Sequence, residues 1–471
     1  MQAMSAATMN GRGTGAAILG FLRVVLQTLQ LVLMRVGVGW MFALLTFNFN
    51  RIAITEFNAV AVVVTALIGL HHFISFFQVY WGRIADRFPL FGFRRTPYFL
   101  ISNVGTALVF LALPTLVQGL GVDSGWTLEA VAASFGLIFI FGVLMAMNGS
   151  AANSLMAEVT EPKRRGMIVA IVWASIILSG IVSAIVAGAM MPVYSPEAMQ
   201  SIYNLTPWIA LITGVLGVAG LEKRLSKAQL AEAAAKDPNE ASPLETLRVT
   251  RDLVKRNPQV RGFFAFVLLA IMGIFLQDAI LEPFGGTVFG MTPGETSKFQ
   301  ASWGGGALGG MVLIGAISAI FPLPKKFIAS LGGLAIALSL GLLAVAALTL
   351  QQTLITPGLV LMGVGVGAFN VGALSMMMEM TVEGQTGLYM GMWGMAQGLG
   401  TGLANLFSGL GVTLLVQSQL FSAANGYALL FVFEALVMIA AVGILRSISV
   451  QEFKGLSRAD VGRALAMETG N

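Results

Sequence analysis

The 471-residue chain has no cysteine, only two histidines and little charge, with Asp, Glu, Lys and Arg making up 10% of it. Without cysteine it can build no disulfide framework, thiolate metal site or cysteine nucleophile. An ordinary soluble domain carries about 25% charged residues. A chain that is 56% hydrophobic, with a mean hydropathy of +0.84, lacks the charge to cover a surface facing water. The same scarcity excludes a disordered chain and a nucleic-acid binder with a basic face, so no nucleic-acid partner is expected. The apolar residues run continuously instead of alternating, which favours helices over a β-barrel. What the chain has in excess is glycine, 56 residues, a residue commoner in membrane helices than in soluble ones.

A membrane helix needs roughly 20 apolar residues. Twelve such segments can be drawn, at about 36–56, 58–82, 97–119, 130–156, 167–191, 205–221, 262–282, 301–321, 327–350, 355–379, 387–416 and 425–446. The expected fold is therefore an all-α membrane protein embedded in lipid. Residues 1–35 form an N-terminal segment, 36–221 a six-helix half, 222–261 a polar central loop, 262–446 a second six-helix half and 447–471 a tail. Within the N-terminal segment, Ile18, Phe21, Leu22, Val25, Leu29, Val32 and Leu33 follow helical spacing, with Arg23, Gln27, Gln30 and Arg35 mainly between them. This pattern reads as an amphipathic helix lying on the membrane surface, the alternative being a long extension of the first span. Of the 27 Lys and Arg residues, all but Arg51 and Lys298 fall on one set of loops and the two termini. Such asymmetry places both termini and the central loop on the cytoplasmic side.

The two halves echo each other. Glu158-Val-Thr-Glu-Pro-Lys-Arg-Arg-Gly166 closes the fourth span and Glu379-Met-Thr-Val-Glu-Gly-Gln-Thr-Gly387 the tenth, while Glu56 and Glu282 close the first and seventh. A duplicated six-helix unit of this kind is the architecture of the major facilitator superfamily. The loop after span two, Gly82-Arg83-Ile84-Ala85-Asp86-Arg87 followed by Arg94-Arg95, resembles the facilitator loop signature, with about four extra residues before Arg94. The resemblance implies a gating role for Gly82, Asp86, Arg87, Arg94 and Arg95, a latch between helix ends at which charged hydrogen bonds are strong. The plainer reading is positive-inside decoration.

The most unusual stretch is Gln277-Asp278-Ala279-Ile280-Leu281-Glu282-Pro283-Phe284-Gly285-Gly286. Asp278 and Glu282 are four apart, on one helical face, and Pro283 with the two glycines is expected to end or break that helix. Two carboxylates in or near a membrane are costly and default to a functional hypothesis: carrying protons, ligating a cation or binding the polar edge of a ligand. A helix end with hydrated carboxylates is the bland alternative.

This decapeptide, with Val288-Phe289-Gly290-Met291 after it, is similar to the hallmark of the PucC/LhaA family. So are Phe93-Arg94-Arg95-Thr96-Pro97-Tyr98 at the start of span three and Asn50-Arg51 with Glu56 at the end of span one. The family comprises twelve-helix proteins of phototrophs. The resemblance implies a role in assembling light-harvesting complexes by handling bacteriochlorophyll or chlorophyll, in a cytoplasmic, intracytoplasmic photosynthetic or thylakoid membrane. Antenna polypeptides or a pigment synthase would be its protein partners. The label of a bacteriochlorophyll synthase subunit also attaches to the family, but the chain has no Asp-rich prenyl-diphosphate site, and no enzymatic activity is expected.

The two histidines, His71 and His72, sit near the middle of span two. An imidazole there could ligate the magnesium of a chlorophyll. Adjacent helical residues point about 100° apart, so one at most is expected to face a given ligand. A histidine hydrogen-bonded between helices is the ordinary reading. Arg51, which with Glu56 ends span one, could pair with one of the span-seven acids across the pseudo-twofold, because an unpaired buried arginine is expensive. Glu434 inside span twelve needs a partner or water as well. For each, a structural ion pair and transport chemistry stand as equal readings, and Arg51, Glu56 and Gln277 join Asp278 and Glu282 as candidates for ligand binding or proton coupling. Glycines 304–306, 309, 310, 363, 365 and 367 read as close-packing faces. The methionines at 376–378 and 390–395 read as core or as lining of an apolar cavity. Trp40, Trp81, Trp126 and Trp208 read as an interfacial belt. A proton-coupled transporter of a small solute and a non-transporting assembly scaffold are the alternative functions.

Overall fold

The computed structural model describes residues 2–122, 125–161, 164–230, 258–321, 323–379 and 386–449. Among them, eleven helices are long and apolar enough to cross a membrane. The place of the second span is taken by a shorter helix, Ala61–Ile74, which continues through a 3-10 turn at Ser75–Phe77 into the helix Gln78–Arg87. The remaining spans are one, Gly20–Glu56; three, Thr96–Gln118; four, Leu128–Val159; five, Arg165–Met190; and six, Pro196–Val218. The second half holds seven, Pro258–Ala279; eight, Pro293–Ile320; nine, Lys325–Thr349; ten, Gln352–Ala373; eleven, Trp393–Gln417; and twelve, Ala423–Ser447.

Span one packs on five and six, three on four, nine on ten and twelve, and seven on eleven and twelve. The halves meet where span two lies along eleven and span five along eight. The glycine stripes make these approaches close. A Cβ on Gly363 would stand 2.1 Å from the carbonyl oxygen of Trp303, and one on Gly310 2.7 Å from that of Val364, so spans eight and ten meet backbone to backbone. The same close approach joins Gly332 of span nine to Phe369 of span ten.

Two sequence expectations are corrected here. Residues 18–35 do not form a separate surface helix, because one unbroken helix runs from Gln2 to Ala43 into the first span. Its amphipathic stripe faces the other way from a surface helix. Gln27 donates to the Val159 carbonyl and Gln30 to that of Ala219, while Phe21, Leu22, Leu26 and Leu29 are exposed on the outside. In a membrane, lipid takes the apolar face and the bundle takes the polar one, since polar groups need partners there. Trp40 is likewise no interfacial residue. It is buried, and its indole N–H donates to Thr206 at 3.1 Å. Trp126 and Trp208 are exposed. The second copy of the Glu-x-Thr motif includes residues 380–385, and most of the central loop and tail also fall outside the described residues.

Candidate functional site

Span one does not reach Arg51 as a regular helix. It widens into π-helical turns at Leu44–Phe49 and Ile52–Glu56, which bracket Asn50 and Arg51. Such widened turns are frequent at functional sites because they re-aim side chains. The Arg51 guanidinium is 2% exposed; Nη1 bonds Glu56 at 2.6 Å and Nη2 donates to the Met291 carbonyl at 2.6 Å. Arg51 therefore pairs with its own half's Glu56 and reaches across to the second half through a backbone carbonyl. The expected ion pair across the pseudo-twofold is not the one formed.

Span seven breaks opposite this point, and the break precedes the proline. A 3-10 turn covers Gln277–Ala279, and a new helix, Leu281–Phe289, begins with Pro283 in its first turn. Proline is tolerated in a first turn, where a helical N–H has no partner in any case. Gly285 and Gly286 lie inside this helix and allow close approach. A Cβ on Gly286 would meet Thr55 at 2.7 Å and the Arg51 guanidinium at 3.2 Å. The helix ends at Gly290, whose φ of +66° is the left-handed conformation glycine accepts freely. Asp278 and Glu282 thus belong to two separate turns of chain and not to one helical face.

Gln277, Asp278, Glu282 and Glu434 are all buried. Glu434 Oε1 accepts from the backbone N–H of Gln277 at 2.8 Å, and Asp278 Oδ1 accepts from the Gln277 amide. Glu282 accepts from the Thr296 hydroxyl at 3.2 Å. Asp278 Oδ2, Glu434 Oε2, Gln277 Oε1 and Asn50 Oδ1 have no hydrogen-bond partner among the described residues. No basic side chain is in ion-pair contact with Asp278, Glu282 or Glu434 among the described residues. Beside this region a recess of about 580 Å³ opens between Ile54, Asn58, Thr287, Gln417, Phe421 and Tyr427. The sequence marks Glu434 as a charge needing a partner, but its link to the 277–278 turn joins residues far apart in the chain and leaves no local pattern.

His71 and His72 lie at a separate place. Their ring centroids are only 3.9 Å apart with the planes tilted by 37°, so the two imidazoles lie against each other and are not splayed by a full helical step. The His71 ring meets Phe141 of span four edge-on, and His71 Nδ1 lies 2.6 Å from the Ile68 carbonyl. No hydrogen bond or ring contact among the described residues links this pair to the acids of span seven.

The loop after span two forms a third cluster. Arg95 bonds Asp86 at 2.5 Å and Glu158 at 2.9 Å, and it reaches the Gly82 carbonyl at 3.4 Å. Glu222, after span six, accepts from the backbone N–H groups of Arg94, Arg95 and Thr96. A carboxylate there suits the partial positive charge of a helix N-terminus. Spans two, three, four and six are fastened at one point. Arg94 contributes its backbone, and Arg87 lies over the Phe88 ring at 5.2 Å. The extra residues before Arg94 fold into a tight turn closed between Leu90 and Phe93, held by Tyr98 on the Phe88 carbonyl and by the Leu225 N–H on that of Gly92.

The architecture is that of the major facilitator fold. Its backbone superposes on a POT family transporter crystallised with a thioalcohol-conjugated peptide (TM-score 0.65, 12% identity, 90% of this chain and 96% of that one). It also superposes on the nucleoside transporter NupG (TM-score 0.66, 13% identity, 90% and 99%). Identity this low speaks for the fold alone. The chain belongs to the PucC family: the PUCC protein family profile matches residues 48–453. Relatives include a protein named bacteriochlorophyll synthase 44.5 kDa chain from Rhodobacter capsulatus, 32% identical over 88% of this chain and 94% of that one. Another is Protein PucC of the same organism, 26% identical over 88% and 90%.

Proposed function

We propose that this multi-pass membrane protein handles bacteriochlorophyll or chlorophyll during assembly of light-harvesting antenna complexes, by binding, delivering or translocating the pigment. The observation that carries the reading is kinship along nearly the whole chain with PucC proteins and with a chain named for bacteriochlorophyll synthesis, on a fold shared with transporters. Its role on this reading is not enzymatic. The protein sits in the cytoplasmic, intracytoplasmic photosynthetic or thylakoid membrane with both termini in the cytoplasm, and antenna polypeptides or a pigment synthase are its partners.

The chemistry of the histidine pair fits a magnesium tetrapyrrole. With Nδ1–H of His71 directed at the Ile68 carbonyl, Nε2 keeps its lone pair, the form in which imidazole ligates a metal. Gln277, Asp278 and Glu282 are the polar groups available to ring substituents. The 82–95 cluster acts as a conformational latch.

Purification from a pigmented host in mild detergent, followed by an absorption spectrum, tests the reading. Co-purifying pigment that falls in His71→Ala or Asp278→Asn is the expected result. Pigment-free protein that drives proton-coupled uptake in liposomes would overturn it. That second reading is favoured by one observation, the buried Asp278 and Glu434 without a basic partner among the described residues. Stable antenna polypeptides without pigment would instead identify a scaffold.

A further inference from the structure

Arg35 looked like one more basic residue of the N-terminal segment, but the structure places it inside the bundle. Gln27 of the same helix bonds the Val159 carbonyl at the end of span four. At 1.5 Å per residue, Arg35 lies about 12 Å deeper than Gln27. There it donates to Asn153 Oδ1 at 2.5 Å and to Asn148 Oδ1 at 3.5 Å. Asn148 is fully buried and donates to Asn103 Oδ1 at 3.3 Å, and Asn103 donates to the Ala210 carbonyl at 2.7 Å. A chain of neutral amides from spans three, four and six thus orients the guanidinium.

No carboxylate pairs with Arg35 among the described residues, whereas Arg51 has Glu56 and Arg95 has Asp86 and Glu158. Arginine within a span is costly and is found paired or facing a polar cavity. Arg35 is only half-buried and Asn153 is exposed, so the pair can be reached by a ligand. Asn153 spends its oxygen on Arg35, which leaves its amide N–H groups as further donors. The two halves also differ in sign. The buried acids Asp278, Glu282 and Glu434 belong to the second half, while the half-buried Arg35 lies in the first.

We infer that Arg35, with Asn153, anchors an anionic group, a carboxylate or a phosphate, on a ligand that enters from the face carrying the 83–96 loop. A guanidinium presents a planar fork of donors that matches either group bidentately. The group has two sources. One is a pigment whose propionate is still a free acid, which rests on the pigment-handling reading above. The other is the phosphate of an anionic lipid, which does not.

The test uses the full chain in phosphatidylcholine nanodiscs, titrated with a magnesium chlorin as the free acid and as its methyl ester and followed by the shift of the pigment's absorption. The free acid is expected to bind about ten-fold more tightly or better, a gap that Arg35→Gln closes while leaving ester binding unchanged. Arg35→Lys, which keeps the charge and loses the fork, should keep part of the gap. In a second arm, nanodiscs containing phosphatidylglycerol are examined by native mass spectrometry for lipid retained by wild type and lost from Arg35→Gln. If neither chlorin binds but phosphatidylglycerol is retained through Arg35, the pigment reading fails and the anion site stands. Equal binding of acid and ester by wild type, together with no retained phosphatidylglycerol, overturns the inference without recourse to any variant. Retention that Arg35→Gln leaves unchanged in a protein that melts as wild type overturns the lipid source.

Discussion

The side-chain amide of Asn50 donates to the carbonyl of Ala279, the oxygen that Pro283, four residues on, cannot serve because it has no N–H. One half of the molecule thus repairs the helix break of the other. Asn50 is fully buried, so removing its amide strands a carbonyl away from water. Asn50→Ala is expected to cost about 1–3 kcal/mol. Asn50→Asp should cost at least as much, because a carboxylate offers oxygen to oxygen. Thermal unfolding in detergent, read by tryptophan fluorescence, checks both.

Spans eight and ten touch through backbone. A methyl group on Gly363 would stand 2.1 Å from the Trp303 carbonyl and 2.7 Å from the Ala307 nitrogen, neither of which is a flexible side-chain end. Gly363→Ala must push the helices apart, at a cost of about 1–3 kcal/mol or more. Gly309→Ala on span eight has nothing within 4 Å of the added carbon and is expected to leave stability unchanged or slightly raised. Parallel melting curves of the two variants decide whether close approach or glycine content matters.

Two of the loop motif's arginines, Arg95 and Arg87, differ in what they hold. Arg95 is buried and joins Asp86, Glu158 and the Gly82 carbonyl, while Arg87 covers the Phe88 ring and has no ion pair among the described residues. Its carboxylate partners are partly exposed, which screens the loss. Arg95→Ala should cost about 1–2 kcal/mol. It should also raise the rate at which a cysteine placed at Ser150, beside Gly82, reacts with a water-soluble maleimide. Arg87→Ala should do neither. Equal labelling of the two variants would remove Arg95 from any latch.

The membrane class, the two halves, the glycine faces and the 82–95 cluster were legible because each rests on a local signal: a run of apolar residues, a spacing, a motif. What could not be read is where polar groups find partners across the chain. Helical spacing at 18–35 is the same whether the polar stripe faces water or the interior, so Arg35 passed for a surface charge. Pro283 announced a break but not its side, because the partner that stabilises the broken turn, Asn50, comes from the other half. Arg51 has a near neighbour in sequence, Glu56, and takes it in preference to a distant acid. The close approach of the His71 and His72 rings depends on side-chain rotation at neighbouring residues, which a helical wheel leaves out.

Asp278 and Glu434 both address Gln277, one through its side chain and one through its backbone N–H, and each keeps a second oxygen without a partner among the described residues. Two buried carboxylates near one residue, with no basic side chain in ion-pair contact among the described residues, weigh against folding. Asp278→Asn and Glu434→Gln each keep an acceptor and replace a buried ionisable group with a neutral amide. Each is expected to raise stability by about 1 kcal/mol, and the double variant should gain less than the sum, because the first neutralisation relieves what the second would have relieved. Melting curves of the four proteins in this cycle provide the measurement. A site retained for function characteristically sacrifices stability, so the informative result is the pair of readouts together. If Asp278→Asn melts higher and no longer co-purifies with pigment, the acid serves the ligand. If it melts lower by several degrees, Asp278 is a structural partner and the ligand role passes to other groups.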